Sequence, residues 1–506
     1  MSKKTGFFYN GILLTLVGFA MRAVGLFLGA YISSVIGAEG VGLQSLIATV
    51  YSFAITFATS GVSLSVTRLV AAAIGEGTEG ERILRGAFVY AALFGTAATV
   101  GLASLSGVIG RVILSDTRTA SALSMLSLSL LPIAFSSVIS GYFVAVRRVT
   151  LNAAVQVLGQ AMRIGLTVVL LMRFAEGGVE SAVMALALGV TLTEWACFAV
   201  ALIEFVFDRR IYKNIGERGY ATGEVAKMAL PLAFSAYVRS FLLSVEHSII
   251  PKRLVERGNT TSEALASYGY LHGMALPIIL FPITPLSSFS GLLVPEFAES
   301  EGAGQTRRME YIATQALDKT LMYAMMIAVF IFTFSEELGY VVYDSYDAGY
   351  YISLLAPVIP IMYLDHVTDA MLKGIGEQVF SMWVNIADSF LSVILVWVLI
   401  PLLDISGYAV VIIVMELFNF TLSFMRLRRR VRFRIRFARS VILPLLCAVL
   451  SAALTLALFD FNGSVTGAMG LVMKGVFAVC AFLSLRMLCG LLESKTMKKQ
   501  TKVVTG

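Results

Sequence analysis

The chain has 506 residues, of which 58% are hydrophobic and only 14% charged, and its mean hydropathy is +0.84. A soluble domain holds about 45–50% apolar and about 25% charged residues, so the composition excludes that class and describes an integral membrane protein. The net charge of +7 collects in connectors between apolar segments, where it signals topology and gives no reason to expect a nucleic-acid partner.

Apolar segments near the roughly 20-residue spanning length recur about fourteen times, at 7–36, 41–74, 86–108, 120–146, 151–173, 179–206, 225–250, 265–294, 312–334, 350–372, 379–401, 406–426, 440–460 and 467–490. They lack the alternation of a barrel strand, so the predicted fold is an all-α bundle of transmembrane helices. Segments longer than the minimum predict tilt or interfacial turns. The first is too long for the core of a signal peptide and is predicted to be an uncleaved helix. Glycine beside polar residues marks turns at 37–40 (GAEG), 175–178 (AEGG), 256–259 (ERGN) and 461–463 (FNG). The longest polar connectors, 207–224 and 251–264, are too short for a separate domain.

Basic residues set the orientation. With the N-terminus inside, the inner connectors take Lys3, Lys4, Arg82, Arg85, Arg147, Arg148, the cluster from Arg209 to Lys227, Arg307, Arg308, Lys373, the run from Arg426 to Arg439 and the lysines of the tail. The outer connectors hold only Arg111, Arg118, Arg173, Lys252, Arg253 and Arg257. This asymmetry predicts both termini in the cytoplasm and an even number of spans.

A twofold repeat is visible. Residues 141–171 match 370–401 in pattern: a helix end, a short basic turn, then a helix with an amide, Gln156 in one and Asn385 in the other. SVTRLVA at 65–71 aligns loosely with LVPEFAE at 293–299, and the opening helices pair Arg22 with Arg239. Six helices per repeat makes the repeats parallel, with a substrate site expected between the halves near the bilayer midplane. The predicted organisation is an N-terminal six-helix bundle (1–206), a cytoplasmic linker (207–224), a C-terminal six-helix bundle (225–426), a basic linker (427–439), two additional helices (440–490) and a cytoplasmic tail (491–506).

Three arginines interrupt apolar runs: Arg22, Arg163 and Arg239, with Arg68 nearer the end of its segment. An arginine at the centre of a span costs about 2.5–3.5 kcal/mol even on an insertion scale, so each should face a partner, a watery cavity or an anionic ligand. Guanidinium stays charged and matches phosphate oxygens bidentately, which makes these four the candidate substrate-binding residues of a central cavity. The competing explanation is neutralisation by intramembrane acids, with Glu194, Asp365, Asp369, Asp388 and Glu416 as candidates; Arg68 could also snorkel. Arg163 is the weaker case, since its repeat counterpart is Ser392.

The acids concentrate in the second half. Asp365 and Asp369 share a helical face, with His366 beside them, and with Asp388 they are candidates for H⁺ or Na⁺ coupling; compensation of the arginines explains them equally simply. Glu246, His247 and His272 read as interfacial polar groups, and Glu296 as a feature of a helix end. Prolines in PIILFPITP (277–285) predict a bent helix. No phosphate-binding GxxxxGK[ST] loop, metal spacing or catalytic constellation is present in the sequence, and Cys197, Cys447, Cys480 and Cys489 lie in apolar segments as small hydrophobes. The expectation is a protein that is not an enzyme and needs no cofactor or metal. The run RLRRRVRFRIRFAR (426–439) is either a topology anchor on anionic headgroups or a platform for a lipid headgroup, with Arg428, Arg429, Arg430 and Arg432 as the lipid-surface candidates.

The segment GILLTLVGFAMRAVGLFLGAYISSVIGAEGVGLQSLIATVYSFAITFATSGVSLSVTRLVA (11–71), with QVLGQAMRIGLTVVL (156–170), SYGYLHGMALPIILFP (267–282) and GLLVPEFAES (291–300), resembles the stage V sporulation protein B group. That group lies in the polysaccharide-transporter branch of the multidrug/oligosaccharidyl-lipid/polysaccharide (MOP) exporter superfamily. The resemblance implies two six-helix pseudo-symmetric bundles of the MATE-like fold around a central cavity, two extra C-terminal helices, and alternating access in a bacterial inner membrane. It implies a flippase for undecaprenyl-pyrophosphate-linked oligosaccharide, lipid II or a related precursor, with Arg22, Arg68 and Arg239 the counterparts of cavity arginines in similar lipid II flippases. Expected partners are the lipid-linked saccharide, membrane lipids and envelope-synthesis proteins, with drive from the membrane potential or an H⁺/Na⁺ gradient. A cation-coupled small-molecule exporter of the same fold and a membrane scaffold for glycan synthesis are the alternatives.

Overall fold

The computed structural model describes residues 3–76, 80–146, 148–208, 220–433, 437–460 and 467–504. Among these residues the secondary structure is helical, with no strand. Among the described residues, eleven helices are long and apolar enough to cross a membrane, or up to thirteen when two bent pairs are each counted as one span. The expected fourteen and the observed count part at the first helix, α1 (Lys3–Thr59), whose 57 residues cover the first predicted segment and run into the second. A straight helix of that length would reach about 85 Å, far beyond a hydrocarbon core of about 30 Å. The break falls at Gly37, with φ 68° and ψ 179°, a backbone conformation that side chains with a Cβ rarely adopt.

The chain forms two compact units, each discontinuous in sequence. Their limits fall at 34/35, 269/270, 388/389 and 408/409.

The first unit comprises Met1–Ser34, Tyr270–Asp388 and Ala409–Gly506. After α10 (Leu276–Leu280) a 3₁₀ turn at Phe281–Ile283 leads into α11 (Thr284–Gly302). The turn falls at Pro282, the middle one of the three prolines, each of which removes a backbone N–H. The unit continues through α12 (Thr306–Thr333), α13 (Ser335–Tyr343), α14 (Tyr346–Leu355), α15 (Ile359–Gly374), the start of α16 (Gln378–Leu403) and most of α17 (Ile405–Arg430), then α18 (Leu443–Asp460) and α19 (Gly467–Val504). Helix α15 packs on α11 and α12, and the two final helices pack on each other and on α12. Lys474 of α19 is 8% exposed and is paired with Glu337 at 2.8 Å.

The second unit comprises Val35–Gly269 and Ser389–Tyr408. It takes the rest of α1, then α2 (Val62–Glu76), α3 (Gly80–Val108), α4 (Arg118–Ser127), α5 (Leu130–Ala145), α6 (Val149–Phe174), α7 (Val179–Phe207), α8 (Thr222–Glu256) and α9 (Thr261–Tyr268). Val62, Val66 and Val70, spaced four apart on α2, form one apolar face and pack with Ala87, Tyr90, Val138, Tyr142 and Val225 in the core. α4 and α5 meet at 42°, and α8 bends by 47° beside Pro231. α8 also overruns the boundary expected at 250: it continues through Pro251 to Glu256. Arg253, stacked 4.1 Å from the Trp397 ring, holds the extra turn. The connector read as 251–264 shortens accordingly. Most of the 207–224 linker and the FNG turn at 461–463 lie outside the described residues.

Candidate functional site

In the second unit the three candidate arginines fall into two situations. Arg163 of α6 donates to Glu194 of α7 at 3.0 Å, so its charge is compensated inside the unit. Arg68 of α2 and Arg239 of α8 are both exposed, and neither has a hydrogen bond or ion pair among the described residues. The helix around Arg239 is positioned by a hydroxyl cluster two residues away. Ser60 lies at φ 44° between α1 and α2, and its Oγ bonds the hydroxyls of Tyr90, at 2.7 Å, and Tyr237. The Tyr237 ring also packs on Phe57, with centroids 5.5 Å apart. Sequence reasoning missed Ser60, Tyr90 and Tyr237, because nothing in their spacing marks a shared contact.

In the first unit, Arg22 is exposed and donates through Nη1 to Thr284 Oγ1 at 3.1 Å, and Thr284 in turn donates to the Phe281 carbonyl at 2.9 Å. The reason lies in the proline-broken backbone. Side-chain hydroxyls donate to three carbonyls around this turn, and one of them, Phe281, lies four residues before Pro285, which has no N–H to give it. Tyr363 donates to Ile279 at 3.0 Å, Tyr323 to Pro282 at 2.7 Å, and Thr284 to Phe281. The 3₁₀ turn at the proline cluster thus carries, at its end, the hydroxyl that receives Arg22. No carboxylate pairs with Arg22 among the described residues.

The acid candidates meet in the same unit. Asp365 of α15 has Asp369, Asp388, Lys373 and Ser423 as electrostatic neighbours. Its Oδ1 is buried without a hydrogen-bond partner. Asp369 is committed to Lys373 at 2.5 Å and to Ser381. Glu416 of α17, read from sequence only as a possible neutraliser, also feels the charges of Asp365 and Asp388. No group of three or more His, Cys, Asp or Glu suited to a metal ion occurs among the described residues. Glu296 is paired with Arg308. His247 and Glu246, expected at an interface, are only 8% and 5% exposed, and His247 Nδ1 meets the Tyr268 hydroxyl at 3.0 Å.

The basic run separates into distinct roles. Glu377, in the turn before α16, receives Arg426 Nη2 at 2.8 Å and Arg430 Nε at 2.7 Å. The Arg426 hydrogen bond, followed by that of Arg430, holds the Glu377 carboxyl below the usual carboxylate range. Arg429 and Arg432 are exposed, and Arg428 lines a separate cavity.

A family model described as polysaccharide biosynthesis protein matches residues 7–299, more than half of the chain. The chain belongs to this family. A second model, MatE, matches residues 258–398 of this family member. Stage V sporulation protein B of Bacillus subtilis is 26% identical over 423 residues, covering 82% of each chain. Sporulation protein YkvU of the same organism is 22% identical over 393 residues, covering 77% of this chain and 87% of its own. Among solved structures, the inward closed conformation of the lipid II flippase MurJ superposes with TM-score 0.71 at 13% identity, over 94% of this chain and 98% of that one. The inward-facing conformation of a multidrug resistance MATE family transporter gives 0.68 at 18% identity, over 82% and 98%. The fold is therefore that of the MOP superfamily. Its long apolar helices are those of a multi-pass membrane protein, and the two solved proteins that share its fold are a flippase and a transporter.

Proposed function

We propose that this transporter is a flippase for undecaprenyl-pyrophosphate-linked oligosaccharide, lipid II or a related envelope precursor, in a bacterial cell membrane. One observation carries the reading: Arg22, Arg68 and Arg239 sit in apolar helices with no carboxylate partner among the described residues. An uncompensated guanidinium in such a helix is costly, and an anion that arrives and leaves accounts for it without a resident counter-charge. A pyrophosphate cannot cross hydrocarbon bare, and several arginines replace its hydration. With the termini cytoplasmic, as the basic connectors predict, outward movement of the anion runs with an inside-negative potential, at about 2.3 kcal/mol per charge per 100 mV. No resident cofactor is needed. The family description and the flippase among the structural relatives support this substrate class. The test is reconstitution with labelled lipid II: Arg22→Ala and Arg239→Ala abolish translocation at normal protein levels. Wild-type translocation in both variants would overturn the reading.

A second reading, a cation-coupled exporter, has its own support in the neighbouring carboxyls Asp365, Asp388 and Glu416. In that case Asp365→Asn and Asp388→Asn remove export of an amphipathic cation driven by an H⁺ or Na⁺ gradient, and the arginine variants leave it intact.

A further inference from the structure

We infer that the first unit carries a second anion site, which binds the phosphate of a membrane lipid at the basic end of its last helices. A cavity of about 910 Å³ lies between α12, the end of α17, the turn at 438–442, α18 and α19. Four cations from four separate elements line it: Lys319, Arg428, Arg439 and Arg486. The single carboxylate in the lining, Asp318, already receives the Ser440 hydroxyl at 2.6 Å, which fastens the turn after the basic run to α12. Lys319 and Arg428 are exposed and have no partner among the described residues. The Arg486 Nε is buried without a hydrogen-bond partner. A buried donor left unmade costs about 1–3 kcal/mol, and a phosphate oxygen within the cavity removes that cost.

Chemistry and depth select the ligand. Four cations around one committed acid suit a dianionic or diphosphate group, and arginine forks match phosphate oxygens in pairs. The remaining wall includes Phe424, Phe433 and Pro444, so the site is amphipathic. Beside it α18 presents Leu445, Leu446 and Leu450 outward, at 39%, 54% and 54% exposure, a surface for acyl chains next to a pocket for a headgroup. A soluble phosphate shares the headgroup chemistry but has no use for that surface. The elements forming this site carry none of Arg22, Arg68, Arg163 and Arg239, so the inference does not depend on the substrate reading above.

The test is native mass spectrometry of the full chain with phosphatidylglycerol, cardiolipin or phosphatidylcholine, alongside thermal unfolding with inorganic phosphate or pyrophosphate. Wild type retains the anionic lipids over phosphatidylcholine. Lys319→Gln with Arg428→Gln, both exposed positions, weakens retention about fivefold per charge removed. Arg257→Gln with Arg307→Gln, both exposed, removes the same charge outside the lining and leaves retention unchanged. Arg486→Gln weakens it again, and a normal gel-filtration profile certifies the fold of each variant. Equal losses in the cavity and control pairs, or equal retention of phosphatidylcholine, overturn the site. Stabilisation by pyrophosphate equal to that by anionic lipid, together with its displacement of the lipid, overturns the lipid as occupant.

Discussion

Arg163 of α6 and Glu194 of α7 close an ion pair at 3.0 Å, so one of the four arginines set into apolar helices has its counter-charge in a neighbouring helix. The pair is partly accessible, with side-chain exposures of 41% and 23%, and its strength belongs with polar contacts between membrane helices, about 0.6 kcal/mol on average and about 1.7 at most. A double-mutant cycle of Arg163→Met and Glu194→Met, read by thermal unfolding, should give a coupling in that range. Each single variant should be less stable than the double, because it strands one charge. Transport should survive in the double variant if the pair is structural.

The Arg22–Thr284 contact makes a graded prediction. Thr284→Val removes both the acceptor for Arg22 and the donor to the Phe281 carbonyl. A hydrogen bond of this kind contributes about 1 kcal/mol, so labelled lipid II should translocate several-fold more slowly while the chain still folds. Arg22→Lys should fail to restore the wild-type rate, since an ammonium cannot reproduce the planar fork. Wild-type rates in Thr284→Val would remove the positioning role.

Glu377 gives a pH dependence of defined sign. Its folded carboxyl is held below the usual range by Arg426 first and Arg430 second. The stability from this contact is therefore complete above the unfolded value, about 4.3, and is lost as pH falls through the lower folded value. Glu377→Gln should unfold at a lower temperature than wild type near neutral pH, and the two curves should converge in acid. Parallel curves at every pH would show that the carboxylate does not hold the end of α17.

Gly42 and Gly269 mark a close crossing in the second unit. A Cβ on Gly42 would run into the Leu265 carbonyl, and one on Gly269 into the Ala38 carbonyl. Backbone cannot yield as a side chain does, so Gly42→Ala and Gly269→Ala should each cost about 1–3 kcal/mol. Thermal unfolding checks this, with Gly101→Ala, where a Cβ meets open space, as the neutral control.

Much of this architecture is legible in the sequence because hydrocarbon imposes a length and a polarity on every span. The runs at 379–401 and 406–426 coincide with α16 and α17 to within a few residues. The proline cluster at 277–285 coincides with a 3₁₀ turn at Phe281–Ile283. Boundaries near Pro251 were misplaced because a proline bends a helix without ending it when outside contacts, here Arg253 on Trp397, hold the next turn. The site was legible only as an inventory of unusual charges. Glu194 was one of five candidate acids, and its choice of Arg163 depends on α6 packing against α7, which no local pattern encodes. The cavity of Lys319, Arg428, Arg439 and Arg486 was hidden for the same reason: its cations are scattered along the chain, and two of them read as topology signals.

The break at Gly37 places the first long helix under a rule of handedness. Its dihedrals of 68° and 179° belong to a region essentially reserved for glycine among genetically encoded residues. Their mirror image is ordinary extended backbone, open to any L-residue. The bend is therefore specified by a single letter of the genetic alphabet, and any missense change at codon 37 strains it. A D-alanine introduced there by chemical ligation would fit the same turn and would fix it more firmly than glycine does.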